Sequence, residues 1–389
     1  MKSMESYISK TVQTIPPSGI RKFFDLVSQS EGVISLGVGE PDFVTPWHIR
    51  EACVYSLEKG YTMYTSNSGL PELREEIALY EKRKIGVDYD PVNGILITVG
   101  VSEALDIALR ALLEPGDEVL IPEPCFVSYA PGTELAYGKA VAVETFDQDE
   151  YRLRPDCLEA KITPRSKVLI LAYPNNPTGG IMKHQDLQAL VDIIIKNDLL
   201  VLSDEIYSEL TYEGKHVSIA SFPGMKDRTL VMDGFSKAFA MTGWRIGYVC
   251  GHPDLVGAMN KIHQYTIMCA PIMGQKAAIE ALRNGEDQMR KMVDDYNYRR
   301  KLIVTGLREI GLQCFEPKGA FYCFPSIKTT GLSSEEFCER LLFEEQVAVV
   351  PGNAFGNSGE GFVRCCYAAS ISNIDQALER MSRLVQRHR

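Results

Sequence analysis

The chain reads as an α/β protein: a large domain with a mostly parallel, seven-stranded sheet flanked by helices, plus a smaller α+β domain. Three observations predict this. Short, continuous apolar runs recur through the middle of the chain. Helical patterns fall between several of them, the alternation expected of a parallel sheet. The length, 389 residues, exceeds what one core needs, so two cooperating domains are the default.

The apolar runs are Gly94 to Gly100, Glu118 to Pro122, Lys167 to Ala172, Leu199 to Ser203, Thr229 to Asp233 and Arg245 to Cys250. They do not alternate with polar residues, which fits strands buried on both faces. Helical periodicity covers Ser102 to Leu113 and His184 to Lys196, and a long helical stretch runs from about Met289 to Glu309. Short strands are expected at Phe321 to Phe324 and Val347 to Val350. We therefore expect residues 46–288 to form the large domain and 289–389 the small one. Residues 1–45 carry turns rich in Gly and Pro. They are expected to join the small domain or to reach another subunit.

Composition excludes several functions. Apolar residues make up 45% and charged residues 24% of the chain, ordinary for a globular protein. No apolar run approaches the roughly 20 residues needed to cross a bilayer, so no membrane association is expected. Met1 to Lys10 lacks the pattern of a signal peptide. The formal charge of -10 repels phosphate backbones, so nucleic acid is not an expected partner. Ten cysteines are scattered without a CxxC pair or histidines at ligand spacing, so no metal is expected. They read as reduced thiols of a cytoplasmic protein, and adjacent Cys365 and Cys366 read as strand filling.

Ligands of open α/β sheets sit beyond the carboxyl ends of the strands. Four such places carry unusual residues. At Gly100-Val101-Ser102 a strand gives way to a helix. Backbone N–H groups and a hydroxyl there could hold a phosphate, or Ser102 could be an N-cap. The turn Tyr173 to Gly179 holds paired Asn residues between prolines, either as a plain turn or to aim an amide at a ligand. Asp204 ends an apolar strand; it either caps a helix or meets a ligand cation, since a buried carboxylate is otherwise costly. Lys237 follows another strand, with Arg245 eight residues later. A lone lysine is usually a solvated surface group. One that is partly desolvated near other cations has a lowered pKa and becomes a nucleophile.

Together these segments resemble the class I/II aminotransferases, the aspartate aminotransferase family of fold-type I pyridoxal 5'-phosphate (PLP) enzymes. The matching residues are Asn175-Asn176-Pro177-Thr178-Gly179, Ser203-Asp204-Glu205-Ile206-Tyr207, and Ser236-Lys237 with Gly243-Trp244-Arg245-Ile246-Gly247. Gly39-Glu40-Pro41-Asp42-Phe43, Tyr64 to Gly69 and Phe362-Val363-Arg364 agree in the same order. The resemblance spans almost the whole chain.

The resemblance implies an enzyme that moves an amino group from an L-amino acid to a 2-oxo acid in two alternating half-reactions. Lys237 would carry PLP and shuttle a proton. Asp204 would pair with the ring nitrogen, and Tyr207 and Asn176 would bond the phenolic oxygen. Phe126 would stack on the ring. Arg245, Ser236, Val101 and Ser102 would grip the phosphate. Tyr64 would reach it from a neighbouring subunit, which makes a homodimer with shared sites the expected assembly. Arg364, helped by the Gly39 backbone, would bind the substrate carboxylate. Some family members carry Lys where this chain has Ser102 and use it for a dicarboxylate side chain. The implied substrates are therefore alanine or aromatic amino acids rather than strictly aspartate, with 2-oxoglutarate as acceptor. The segment Gly19 to Phe23 resembles a branch of the family whose members act on aromatic, alanine-type or acetylated substrates. The main rival is a carbon–sulfur lyase of the same fold. A PLP-binding regulator usually adds a basic DNA-binding domain, for which this acidic chain has no room. A nicotinamide-binding domain would need a G-x-G-x-x-G after the first strand.

Overall fold

The structure, a computed structural model, describes residues 3–17, 19 and 32–388. Most of the segment Gly19 to Phe23 therefore lies outside the described residues. After β1 (Ile34–Ser35), the strands of the central sheet are β2 (Ile95–Thr98), β3 (Glu118–Glu123), β4 (Lys139–Glu144), β5 (Ser166–Ala172), β6 (Leu200–Asp204), β7 (Thr229–Gly234) and β8 (Gly247–Cys250). Their order is β2-β8-β7-β6-β5-β3-β4. All pairs are parallel except those of β8, which runs against both β2 and β7. Four further strands follow: β9 (Tyr322–Cys323), β10 (Val347–Ala348), β11 (Val350–Pro351) and β12 (Val363–Cys366).

Helices α1 (Lys10–Thr14), α2 (Trp47–Glu58), α3 (Pro71–Ile85), α4 (Gly100–Leu112), α5 (Tyr129–Leu135) and α6 (Pro155–Glu159) alternate with the early strands. They are followed by α7 (His184–Lys196), α8 (Pro253–Thr266), α9 (Ile272–Asn284), α10 (Glu286–Glu309), α11 (Ser334–Glu345) and α12 (Ile371–Arg387).

The apolar runs form strands because both sheet faces are covered. Leu230, Met232 and Val249 join one buried cluster with residues of α4 and α8. Their neighbours Val231, Tyr248 and Cys250 join another with residues of α3 and α9. Successive side chains of a strand point to opposite faces, so each run must be apolar throughout. Full burial of one such aliphatic side chain contributes roughly 1.5–3 kcal/mol. A third cluster holds Leu120, Leu169, Leu171 and Val201 against α7. One of the seven strands of the central sheet, β4, was not among the expected runs. It is an edge strand, and its side chains from Lys139 to Val141 remain partly or fully exposed. Its Lys139-Ala-Val-Ala-Val-Glu144 sequence is correspondingly weak in pattern.

A separate core joins Ile34 and Leu36 to α10, α11, α12 and strands β9, β10 and β12. β1 pairs in parallel with β10, Ile34 opposite Val347 and Ser35 opposite Ala348. The run Val347 to Val350 divides into β10 and β11, and β11, β12 and β9 form a three-stranded sheet.

Two turns set up the cleft. The chain leaves β7, passes Lys237 and returns as β8 without a crossover helix, so both ends of this turn lie at one sheet edge. Residue 247 must be glycine: a Cβ there would sit 2.7 Å from the carbonyl carbon of Gly100 and the nitrogen of Val101. This lets β8 lie against the first turn of α4. Arg245 adopts φ 55°, a left-handed conformation that non-glycine residues enter at some cost.

Candidate active site

A cavity of about 380 Å³ opens at the carboxyl edge of the central sheet. It brings together Gly39, Val101, Ser102, Phe126, Asn176, Asp204, Tyr207, Ser236, Lys237, Arg245 and Arg364. Tyr64 alone among the expected residues does not line it. That side chain is 78% exposed.

Ser102 does not cap α4. Val99 occupies the N-cap position, and Ser102 lies within the first turn. Val101 and Ser102, at this helix start, line the cavity together with Arg245. A Cβ on Gly100 would come within 2.5 Å of Nη2 of Arg245, so the guanidinium rests directly on the helix start. Nη1 of Arg245 donates to the carbonyl of Thr242 at 3.0 Å. A positive helix end, a guanidinium and two serine hydroxyls form a cradle suited to a phosphate.

Lys237 stands at the centre. Its Nζ donates to the carbonyl of Gly39 at 2.7 Å and lies 5.9 Å from the ring centroid of Tyr207. Burial pushes its pKa down to about 8, so the neutral, nucleophilic amine is accessible near neutral pH. Asp204 ends β6. Its Oδ1 accepts from the Ile206 N–H at 3.2 Å and its Oδ2 from the Tyr129 hydroxyl at 2.8 Å. Burial raises its pKa, and among the described residues no cation pairs with it. The first of these bonds is a local turn contact, and the second fixes the carboxyl in direction.

Asn175 holds the turn after β5: its Oδ1 accepts from the hydroxyl of Thr178 at 2.8 Å and from the Thr178 N–H at 3.2 Å. This aims Asn176 into the cleft, where its Oδ1 accepts from Nη1 of Arg364 at 2.9 Å. Nη2 of Arg364 donates to the carbonyl of Gly37 at 2.6 Å. Its Nε is buried and has no hydrogen-bond partner among the described residues. Arg364 is only 2% exposed, yet lies 4.5 Å from the ring centroid of Tyr322 and 4.8 Å from that of Phe355. Such cation–π contacts offset part of the cost of burying the charge.

Among the lining residues not expected from sequence, two place their hydroxyls against expected ones. Tyr129 opens α5, three positions after Phe126, and the two rings meet edge to face at 5.8 Å. That aromatic spacing was a usable signal. Tyr322 lies on β9 and its hydroxyl is 2.7 Å from that of Tyr207. Its place depends on register: Tyr322 is opposite Cys366, so Arg364 is its diagonal neighbour on the same face. No local pattern encodes that.

Fold and cleft together define an α/β protein with a nucleophilic amine, a buried carboxyl and two arginines around one cavity. Comparison with known proteins makes this specific. The family model for aminotransferase class I and II matches residues 31–381. An aromatic-amino-acid aminotransferase 2 of Thermococcus litoralis is 46% identical, covering 97% of this chain and 98% of its own. An aspartate aminotransferase of Pyrococcus abyssi is also 46% identical, with the same coverage. The crystal structure of an aromatic aminotransferase from Pyrococcus horikoshii superposes with a TM-score of 0.90 at 44% identity, covering 94% of this chain and 99% of that one. The chain belongs to the class I and II aminotransferases, an enzyme family of fold type I that uses PLP.

The residues present fit this cofactor. An unpaired buried carboxyl suits a protonated ring nitrogen, the cradle at Arg245 suits a phosphate, and the depressed amine of Lys237 suits an aldehyde. The described residues contain no group of three or more His, Cys, Asp or Glu able to hold a metal ion.

Proposed function

We propose that Lys237, Asp204, Tyr207 and Arg364 divide the work of amino transfer in this cavity, with alanine or aromatic amino acids as donors and 2-oxoglutarate as acceptor. The observation that carries this reading is the disposition of cations. Among the described residues the lining holds Lys237, Arg245 and Arg364. Arg245 faces the phosphate cradle and Lys237 the reacting centre, so Arg364 is left for the α-carboxylate that every substrate shares. No lining cation of this chain remains for a second carboxylate, whereas Val38, Leu105 and Tyr322 offer apolar surface.

When bound, PLP supplies a conjugated ring that takes up the electron pair released as the Cα proton leaves. The chain's residues do the rest. The Lys237 amine, freed when substrate amine takes its place, accepts the Cα proton and returns it on the other side of the exchange. Asp204 keeps the ring nitrogen protonated, with Tyr129 holding the carboxyl in position. Tyr207 and Asn176 donate to the ring oxygen. Phe126 covers the ring face. Ser236, Arg245 and the N–H groups at Val101 and Ser102 anchor the phosphate. Arg364 binds the carboxylate through its fork, with the backbone of Gly39 beside it.

The reading includes a homodimer with shared sites. Tyr64 is exposed, as are the apolar side chains of Trp47, Tyr55, Tyr61, Met63, Tyr265 and Met268. The side chain of Asn67 donates to the carbonyl of Met268 at 2.7 Å, which draws the two loops into one face. A large exposed apolar patch marks an interaction surface, and a second copy would bring its Tyr64 to this cradle. The ten free thiols accord with a reducing, cytoplasmic setting. No described helix is long and apolar enough to cross a membrane. The separate core joining Ile34 and Leu36 to the C-terminal elements supports a division into residues 1–45, 46–288 and 289–389, with the first part joining the last.

A panel of amino donors against 2-oxoglutarate, pyruvate and oxaloacetate tests the substrate. Alanine or aromatic donors should give glutamate from 2-oxoglutarate at higher kcat/KM than aspartate. A preference for aspartate of tenfold or more would overturn it. Cystathionine incubated alone separates transfer from lyase chemistry: release of pyruvate and ammonia without acceptor would reject transfer as the main activity.

A further inference from the structure

We infer that Tyr322 is a positioning residue of this site, which directs the proton of Tyr207 into the cavity through its hydroxyl and braces Arg364 through its ring. The inference rests on the role given to Tyr207 above and extends it to Tyr322, named there only as part of the apolar lining.

The geometry is specific. Tyr322 touches three groups of the cleft at once. Its hydroxyl is 2.7 Å from that of Tyr207, and both side chains are buried. Its ring lies under the Arg364 guanidinium at 4.5 Å. A Cβ on Gly39 would fall 2.4 Å from the same hydroxyl, so residue 39 has no room for a side chain. The hydroxyl is thus held between Tyr207 and the backbone that accepts from Lys237.

Proton accounting gives the direction. Two buried hydroxyls own two protons, and one O–H···O bond uses one of them. If Tyr207 donated to Tyr322, the Tyr322 proton would need another acceptor, and none is found among the described residues. Tyr207 would then present only lone pairs to a ring oxygen that also carries them. If Tyr322 donates, the Tyr207 proton is left to point at that oxygen. The Arg364 cation favours this sense, because a cation over the ring stabilises the phenolate and so strengthens Tyr322 as a donor. Hydroxyls in series also polarise one another, so the outer bond reinforces the inner one.

The test reads the visible absorbance of the holoenzyme against pH, which reports the proton on the Lys237–cofactor linkage. A donor to the ring oxygen favours the deprotonated form of that linkage, so its removal raises the titration midpoint. Tyr207→Phe should raise it by up to about one pH unit, the size of one ordinary hydrogen bond on this scale. Tyr322→Phe should raise it by a smaller amount, and should add nothing in the Tyr207→Phe background. Tyr322→Phe retains the ring, so the KM for amino donors should stay within about twofold. Tyr322→Leu removes the ring and should raise KM severalfold as well. A shift with Tyr207→Phe but none with Tyr322→Phe, or full additivity in the double variant, overturns the inference alone. No shift with Tyr207→Phe overturns it together with the role of Tyr207. Should Tyr322→Leu fail to fold, the Phe variants still decide the hydroxyl's part, and an unchanged KM in Tyr322→Trp against a raised one in Tyr322→Thr decides the ring's.

Discussion

The two ends of the cavity are built differently. The cofactor end comes from consecutive strand ends of one sheet: Asp204 closes β6, Lys237 follows β7, and Arg245 precedes β8. The carboxylate end joins distant parts of the chain, with Arg364 of β12 held by Asn176 and by the carbonyl of Gly37, 327 residues away. Exposure differs too. Arg245 stands exposed at the cavity's rim, while Arg364 is buried and held on two sides. The cofactor end is therefore a rigid edge supported by the main core. The other end is an assembled clamp whose shape depends on how its segments meet. Tight, permanent holding suits the first, and exchange of substrates in each half-reaction suits the second.

Substitutions should separate the two ends. The largest effect belongs to Lys237→Ala, which removes both the attachment and the proton carrier. Turnover should fall by at least about 10²–10⁴-fold, and borohydride should no longer fix PLP to the chain. A label on any other lysine in the unaltered protein would break the assignment. Asp204→Ala comes next, with a fall in half-reaction rate of roughly 10²–10³-fold and a much smaller loss of bound PLP. Equal losses would make Asp204 a holding residue only.

Arg364→Ala probes the other end. Losing a two-pronged charged contact should raise KM for every amino donor by about 10²-fold, with PLP content unchanged. An unchanged KM would dissolve the distinction between the ends. A smaller effect concerns pH. Because burial holds the Lys237 amine at about 8, its neutral form gains population as pH rises toward that value. Uptake of PLP by the apoenzyme, followed by absorbance, should therefore accelerate from pH 6 and level off above about 8. A plateau reached only near the ordinary lysine value, about 10.4, would show an unperturbed amine.

The same contrast explains what could be read in the sequence. β2, β3 and β5 to β8 were legible because burial on both faces leaves an uninterrupted apolar run. α7 was legible over its full length, His184–Lys196, because one face alone is apolar. Asn176, Asp204 and Lys237 of the cavity lining were legible because they lie at or just beyond the end of such a run, whereas Arg245 lies just before one. β4 was not, since an edge strand need not be apolar throughout. Tyr322 was not, since its partners Tyr207, Gly39 and Arg364 are set by the pairing of β9 with β12 and by how that sheet meets the cleft. The N-cap alternative for Ser102 failed for a physical reason. Glycine at 100 and 247 lets α4 begin earlier, at Gly100, with β8 packed against its first turn.

The reversal of direction at β8 has a consequence for altering this enzyme. A crossover helix after β7 would have delivered the chain to the opposite rim of the sheet. Instead a hairpin-like excursion leaves and re-enters at the same rim, with Lys237 on its outbound limb and Arg245 on its inbound limb. The distance between the two is thereby ruled by a single loop of fixed length. Lengthening that loop by one residue would put the gauge out of true at both stations at once. A transplant of this chemistry to another α/β scaffold must therefore carry the whole excursion, Gly234 to Gly247, as one piece.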